Sequence, residues 1–319
     1  MKSKTKRIYQ NLALLTTLFL VCGISQIVNG AQWTPTKTSA RYNDIIFHAT
    51  KITDGVTQIQ CSDRAAYVYL VEGTEKAVLI DAGIGVGNLR TFVETLTDKP
   101  VSVLVTHYHL GGTGGAGDFE NVYMHQKDIE WYDKDGGQPL SKRMLSNRPY
   151  FASQEKWDKF ELKDFPPNRP ADQFKAINDG DTFDLGVTSV IAYHVKGHTQ
   201  GNMAYLVTDQ KLLISGEGVS SSVSLMKGDA GLATFEESLK ELASKTVGRF
   251  DKILISNGDP LPKEVLTYLI NACEGVRNGT ATIKLNKRKR DEVKLTVFDD
   301  GSEPQEVGEI KYDQRLVNE

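Results

Sequence analysis

The chain has 319 residues and a formal net charge of −3, and 39% of its residues are hydrophobic. This length and apolar content allow a sizeable buried core and exclude a disordered chain. The chain has three cysteines and no Cys-x-x-Cys pattern, which excludes a zinc site built on thiolates.

The first 30 residues predict a secretory signal peptide. Four basic side chains over residues 2–7 precede an apolar run over residues 12–21, and cleavage is expected after Gly30 or Ala31. The apolar run is shorter than the about 20 residues that a membrane-spanning helix needs, which favours a cleaved leader over a membrane anchor. The mature chain, residues 31–319, is therefore predicted to be secreted or periplasmic and to have no membrane partner.

Removal of residues 1–30 changes the charge and the cysteine content of the chain. The leader holds four basic and no acidic side chains, so the mature chain has a formal net charge of −7. An acidic exported protein is a poor candidate for non-specific binding to nucleic acid, and no nucleic-acid partner is expected. Cys61 and Cys273 remain, and export leaves both a disulfide and two buried thiols open.

The first part of the mature chain predicts strands that lead to a pair of histidines. Runs rich in β-branched and aromatic residues predict three strands, over residues 57–61, 65–71 and 77–80. The last of these ends at Asp81, and helical spacing of apolar residues follows over residues 86–96. The apolar run 101–105 predicts a buried strand, which delivers His107 and His109 at its carboxyl end. A further strand over 121–124 and a helix from about residue 126 follow.

Residues 136–172 interrupt this alternation with prolines, charged residues and several aromatic residues. Connections of this length are often binding loops or lids, and a surface insertion with its own aromatic cluster is the alternative. The second half then predicts strands over 187–195, 203–207, 211–214 and 252–255, helices over 234–243 and 263–276, and a C-terminal hairpin of 282–285 with 293–298. Strands and helices repeated in two halves predict an α/β fold with two sheets packed face to face and helices outside.

Three histidines stand at predicted strand ends in a pattern that suits a metal ion. Imidazole is a good neutral ligand for zinc, and the spacing His107-Tyr108-His109 aims two rings at a common point. His198, in Gly197-His198-Thr199, also follows a predicted strand and supplies a third ring. Three histidines with an open fourth position are typical of catalytic zinc sites.

These motifs resemble those of the metallo-β-lactamase superfamily, over residues 45–275. The sequence Thr106-His107-Tyr108-His109 is similar to the start of that family's Thr-His-x-His-x-Asp-His ligand run. Lys196-Gly197-His198-Thr199 resembles its Pro-Gly-His-Thr. The resemblance implies a four-layer αββα sandwich over residues 31–319, with residues 136–172 as an insertion. It also implies that Asp81 braces the ligand loops through hydrogen bonds.

The chain departs from the family pattern at the second metal position. Gly111 and Gly112 stand in place of the Asp and His of the ligand run, Glu217 in place of the bridging Asp, and Asp259 in place of the last His. Glycine has no side chain, so two ligands of the second metal are absent, whereas the first metal keeps all three histidines. The resemblance therefore predicts one Zn²⁺, with the ligands His107, His109, His198 and Glu217.

The resemblance implies a hydrolase with a small-molecule substrate, in which a metal hydroxide attacks an ester, thioester, lactone or lactam. Glu217 and Asp259 are the candidates for general base or water ligand. Two alternatives stay open. His107, His198 and Glu217 form a two-histidine, one-carboxylate set that suits Fe²⁺ and a sulfur-oxidising dioxygenase. The chain could also be a non-catalytic binding protein that has kept the fold.

Overall fold

The computed structural model describes residues 39–64, 66–134, 140–225, 231–280, 283–285, 291–297 and 305–312. The signal peptide predicted for residues 1–30 lies outside the described residues and stays a prediction. In the part of the chain that is described, no helix has the length and apolar content that a membrane span requires.

The strands of the first sheet lie side by side in their order along the chain. They are β1 (His48–Thr53), β2 (Val56–Gln60), β3 (Tyr67–Glu72), β4 (Ala77–Ile80), β5 (Val101–Leu104), β6 (Val122–His125) and β7 (Lys175–Ile177). Strands β1 to β4 pair antiparallel, and strands β4 to β7 pair parallel. The carboxyl ends of β4, β5 and β6 therefore meet at one edge of this sheet.

The second sheet contains six strands from the second half of the chain. They are β8 (Thr182–Asp184), β9 (Ser189–His194), β10 (Met203–Val207), β11 (Leu212–Gly216), β13 (Lys252–Ile255) and β14 (Leu261–Pro262). Their order across the sheet is β14-β13-β11-β10-β9-β8, and only the β11–β13 pair is parallel. Because β9, β11 and β13 run in the same direction, their carboxyl ends also share one edge.

A smaller third sheet joins the carboxyl-terminal hairpin to the rest of the chain. Its strands are β12 (Ser222–Ser224), β15 (Ile283–Leu285), β16 (Asp291–Val297) and β17 (Gln305–Tyr312). Strands β15 and β16 pair as an antiparallel hairpin, and β17 pairs with both β16 and β12. The sequence predicted the hairpin alone, so β17 and its pairing with β12 are additions from the structure.

The α-helices of the described residues lie between the strands. They are α1 (Asn43–Ile46), α2 (Leu89–Val93), α3 (Leu110–Thr113), α4 (Gln126–Lys134), α5 (Leu140–Asn147), α6 (Gln154–Trp157), α7 (Leu232–Thr246) and α8 (Glu264–Arg277). Short 3₁₀ helices lie at Ala116–Asp118, Arg148–Tyr150, Leu162–Asp164 and Ala171–Gln173. The two longest helices, α7 and α8, pack against each other on the second sheet.

Successive side chains of a strand point to opposite faces of its sheet, so the buried side chains of one strand belong to two different layers of the core. In β3, Val68 and Leu70 pack between the first sheet and its helices, whereas Tyr69 and Val71 pack between the two sheets. Strand β10 does the same in the second sheet, where its outward side chains pack with α7 and α8. Helices therefore cover both outer faces, which confirms the four-layer αββα sandwich.

The described part of the predicted insertion, residues 140–172, packs on the first sheet. Phe151, Phe160 and Phe165 are buried in the core cluster that the strands and α2 form. The side-chain amide of Asn147 donates to the carbonyl oxygen of Ile84 at 2.8 Å. These aromatic side chains belong to the core of the domain and do not form a separate cluster.

Cys61 and Cys273, the cysteines among the described residues, are free thiols. Cys61 lies in the core cluster of the first sheet, and Cys273 lies on α8 in the cluster of the second sheet. Both are buried, and burial raises the pKa of each thiol far above its ordinary value. Of the two possibilities left open by the sequence, the structure shows buried thiols.

Candidate metal centre

Strand ends from both sheets bring the three predicted histidines together. His107 and His109 follow β5 of the first sheet, and His198 follows β9 of the second sheet. One ligand atom from each ring lies within 4.8 Å of the others. The ring centroids of all three pairs are 4.9 Å apart, so the imidazoles surround a common point.

The separation of the ring nitrogens suits a tetrahedral ion. His109 Nδ1 and His198 Nε2 are 3.0 Å apart. Two nitrogens bound to a tetrahedral zinc ion at about 2.0–2.1 Å would be separated by about 3.3 Å. The triad therefore needs only a small adjustment to hold such an ion.

Hydrogen bonds fix the tautomer of His107 so that a lone pair faces the centre. When Asp81 is ionised, Thr106 Oγ1 donates its one proton to it, at 2.8 Å from Oδ2. The contact of 3.0 Å between His107 Nδ1 and Thr106 Oγ1 therefore requires the proton to be on Nδ1. The other nitrogen, Nε2, is buried and has no hydrogen-bond partner among the described residues. A buried and unpartnered acceptor aimed at two other imidazoles fits a metal ligand.

The surroundings of His198 also fit a bound cation. His198 Nδ1 lies 3.1 Å from the carbonyl oxygen of Ser224, which can only accept, so the proton is on Nδ1. The lone pair of Nε2 then faces His109 at 3.0 Å and Glu217 Oε2 at 3.2 Å. In the metal-free site a proton on His109 Nδ1 can make the contact with His198 a hydrogen bond, and a bound cation would take the place of that proton.

Burial keeps two of the imidazoles neutral. Burial, together with the neighbouring rings, holds the pKa of His107 well below its ordinary value of 6.5. The same causes lower the pKa of His109 to about 3. Neutral imidazole is the form that binds metal, so these rings are ready to act as ligands at neutral pH.

Asp81 supports the segment that carries His107 and His109. It follows β4 with a φ of +65°, a conformation that aspartate tolerates better than most residues. Its carboxylate accepts hydrogen bonds from Thr106 N at 2.7 Å and Thr106 Oγ1 at 2.8 Å, and Ser256 Oγ lies 3.5 Å away. Burial raises its pKa to about 7. Asp81 thus bonds to the residue that precedes His107, and its bracing of a metal site stays a prediction.

Glu217 lies beside the triad, and its side chain is about one third exposed. Gly216, with a φ of +60°, ends β11 and approaches Thr106 so closely that a Cβ would lie 2.3 Å from Thr106 Oγ1. Asn257, which follows β13, donates from Nδ2 to Glu217 Oε1 at 3.3 Å. The pKa of Tyr150, a residue of the insertion, is raised first by burial and second by the nearby charge of Glu217.

Asp259 is exposed, whereas Asn257 of the same segment contacts Glu217. Asn257 Oδ1 also accepts a hydrogen bond from Ala66 N at 3.2 Å. The sequence did not mark Asn257, because Asp259 is the residue of this segment that replaces the family histidine. Its position directly after a predicted strand end was the available signal.

The two glycines of the ligand run lie in α3 and differ in their surroundings. A Cβ on Gly111 would meet no heavy atom within 4 Å. A Cβ on Gly112 would lie 2.7 Å from the carbonyl oxygen of His107 and 3.0 Å from Asp81 Oδ1. The backbone of His107 and the side chain of Asp81 therefore occupy the space that a side chain at residue 112 would need.

Sequence reasoning missed Asp128, which contacts both ligand loops. It lies in the first turn of α4, and its side chain is fully buried. The carboxylate accepts hydrogen bonds from Tyr108 N, Thr199 Oγ1 and Gly201 N at 2.7–2.9 Å. An acidic residue in a first helical turn is common for electrostatic reasons, so the sequence alone did not mark it.

The two packed sheets and the three histidines at their strand ends define an αββα sandwich with a candidate metal centre. Residues 62–248 match the sequence model of the metallo-beta-lactamase superfamily, which is more than half of the chain. The chain belongs to this superfamily.

Known members of the superfamily match the chain at low identity. The acyl-coenzyme A thioesterase MBLAC2 of Homo sapiens is 26% identical over 191 residues, which cover 52% of this chain and 64% of that protein. The atrochrysone carboxyl ACP thioesterase of Pseudocercospora fijiensis is 24% identical over 155 residues, 48% of this chain and 35% of that protein. The chain thus spans less than two thirds of the length of these relatives.

A solved structure supports the fold. The metallo-beta-lactamase from Pontibacter korlensis superposes with a TM-score of 0.51 at 18% identity. The superposition covers 70% of this chain and 97% of that protein. At this identity the similarity establishes the sandwich fold and nothing about the substrate.

Proposed function

We propose that this chain is a hydrolase that uses one metal ion, held by His107, His109 and His198, to cleave an acyl thioester or a related ester. The observation that carries the proposal is the convergence of three imidazoles, of which His107 and His198 are fixed in the tautomer that offers a lone pair to the centre. The missing ligands at Gly111 and Gly112 favour one ion over two.

The residues of the chain have separable tasks in this reaction. A zinc ion held by the three histidines would supply Lewis acidity, which polarises a carbonyl group and lowers the pKa of bound water to about 7. Glu217, which lies beside His198 and is about one third exposed, would accept a proton at a carboxylate oxygen. Asn257 donates to the other carboxylate oxygen and holds Glu217 in place. Asp81, through Thr106, keeps His107 in the ligand tautomer.

The relatives support a thioester as the substrate class, since both are named thioesterases. Export, predicted from residues 1–30, would separate the protein from the cytosolic coenzyme A pool. The substrate panel should therefore contain acyl-coenzyme A, short acyl thioesters without coenzyme A, aryl esters and lactones. Amino-terminal sequencing of the mature protein tests export, with a first residue at about 31 as the expected result.

Release of thiol or alcohol from this panel tests the proposed activity. We expect turnover of at least one thioester or ester, loss of turnover after treatment with a chelator, and its return when Zn²⁺ is added. The variant Glu217→Gln should lose turnover and keep its metal. The exposed histidine variant His48→Ala is the matched control and should behave as wild type. Turnover that a chelator leaves unchanged would contradict the proposal.

One observation favours a second candidate, the mononuclear iron dioxygenase. Glu217 Oε2 lies 3.2 Å from His198 Nε2, so a carboxylate is beside the histidines as a two-histidine, one-carboxylate set requires. Under this alternative, protein purified without oxygen contains iron and consumes oxygen with a persulfide. Absence of iron from such preparations would exclude it.

A further inference from the structure

We propose that Asp128 is a positioning residue that sets the separation of the two ligand loops, and with it the affinity of the metal centre. The inference rests on the proposed metal site and adds a residue that does not touch the ion. Asp128 lies on α4, outside the motifs that carry the family resemblance.

The hydrogen bonds of Asp128 join two segments that are distant in sequence. Oδ2 accepts from the backbone N–H of Tyr108, at 2.9 Å, and from Thr199 Oγ1, at 2.7 Å. Tyr108 lies between the ligands His107 and His109, and Thr199 directly follows the ligand His198. One carboxylate oxygen therefore links the ligand segment of the first sheet to that of the second.

The other carboxylate oxygen strengthens the attachment of the second loop. Oδ1 accepts from the backbone N–H of Gly201 at 2.7 Å. A Cβ on Gly201 would lie 2.6 Å from this oxygen and 2.7 Å from Asp128 N. In the loop that carries His198, the backbone at Gly201 therefore lies so close to α4 that a side chain there would clash with Asp128.

The chemistry of these contacts requires a carboxylate. All three partners are donors, and an ionised carboxylate accepts at both oxygens and donates at neither. Asparagine has the same shape, but its amide group would direct two protons at one of the donors. No lysine or arginine pairs with Asp128 among the described residues, so the buried charge depends on these hydrogen bonds.

Buried carboxylates are costly, which argues against packing as the reason for Asp128. An apolar side chain or an amide at a fully buried position carries a smaller desolvation penalty than a charge. Its acceptors bond to Tyr108 and Thr199, the sequence neighbours of His109 and His198, so the charge links the two segments whose ligand nitrogens lie 3.0 Å apart. Outer groups that orient metal ligands typically contribute about 10–100-fold to metal affinity.

The test measures binding of Co²⁺, which reports both affinity and ligand geometry in its visible absorption spectrum. We expect Asp128→Asn to weaken Co²⁺ binding by about 10–100-fold and to change the spectrum. Thr199→Val, which loses one of the three donors, should weaken binding less, and Thr199→Ser should restore it. Asp164→Asn removes another buried carboxylate, bonded to Arg41 and Glu161 N, and should leave affinity and spectrum unchanged.

Wild-type affinity and spectrum in Asp128→Asn would overturn the proposal. If the wild-type protein binds no Co²⁺, the proposed metal centre fails, and hydrogen exchange of the free protein decides the role of Asp128. Faster exchange of the Tyr108 and Gly201 amides in Asp128→Asn, with no change in Asp164→Asn, would support its control of loop separation. Equal exchange in all three proteins would refute it.

Discussion

Gly112 and Gly111 are adjacent residues of α3 with opposite tolerance for a side chain. A Cβ at residue 112 would lie 2.7 Å from the carbonyl oxygen of His107, so the backbone of the ligand loop must move. We expect Gly112→Ala to reduce the free energy of unfolding by about 1–3 kcal/mol, as overpacking does. Urea denaturation measures this change.

Gly111→Ala is the matched control, because its new methyl group would meet no heavy atom within 4 Å. In a helix, this exchange should be neutral or stabilise by about 0.5–1 kcal/mol. Equal effects of the two substitutions would show that the space beside His107 is not limiting.

Asp128 gives the metal-free protein a stability term that depends on pH. Burial raises its pKa from 3.8 to about 6. The folded state therefore binds more protons than the unfolded state between these values, and stability falls as pH rises through them. Relative to Asp128→Asn, the free energy of unfolding of the wild type should fall by up to about 3 kcal/mol between about pH 4 and 7.

Urea denaturation of both proteins at several pH values, with a chelator present, measures this difference. Comparison with Asp128→Asn cancels the titration of the other acidic groups, including Asp81. A difference that stays constant with pH would show that Asp128 titrates normally in the folded protein.

At the scale of elements, the insertion is part of the domain core. Phe151 is fully buried in the core cluster of the first sheet. We expect Phe151→Ala to lower the free energy of unfolding by about 3–5 kcal/mol, because it leaves a cavity. Leu145→Ala, in α5 of the same insertion, removes a side chain that is 77% exposed and should have little effect. Chemical denaturation that shows similar small losses for both would mean that the insertion packs independently.

The sequence predicted the ends of a strand best where a single apolar run defines that strand. Strands β10 and β13 begin and end where the apolar runs 203–207 and 252–255 predict. The helix predicted over 86–96 is shorter, because Asn88 accepts a hydrogen bond from Thr91 N and caps the helix at Leu89. Strands β7 and β8 were missed, since three residues are too few for a visible alternation.

The histidines were found from local motifs, whereas their supports were not. His107, His109 and His198 each stand in a short pattern that sequence alone reveals. Asp128 and Asn257 act through contacts between segments that only the packed sheets bring together. Asp128 and Asn257 have no characteristic sequence spacing from the histidines, so the tertiary structure was needed to identify them.

Across the molecule, Cys61 and Cys273 lie in separate layers of the sandwich. Cys61 and Cys273 are free and buried, and burial raises the pKa of each thiol. Once residues 1–30 are removed as predicted, the protein should show no reactive thiol when folded and two when unfolded without reductant, as measured with an aromatic disulfide reagent. No thiol after unfolding would indicate a disulfide and contradict the arrangement of these two clusters.

We propose above that this superfamily member holds one metal ion on His107, His109 and His198. Elemental analysis of the protein, purified without a histidine tag, is the first measurement to make. We expect about one zinc per chain in the wild type and in His48→Ala, and none in His107→Ala/His198→Ala. Two metals per chain would show that the second position is occupied, iron would favour the dioxygenase, and no metal in the wild type would refute the metal centre.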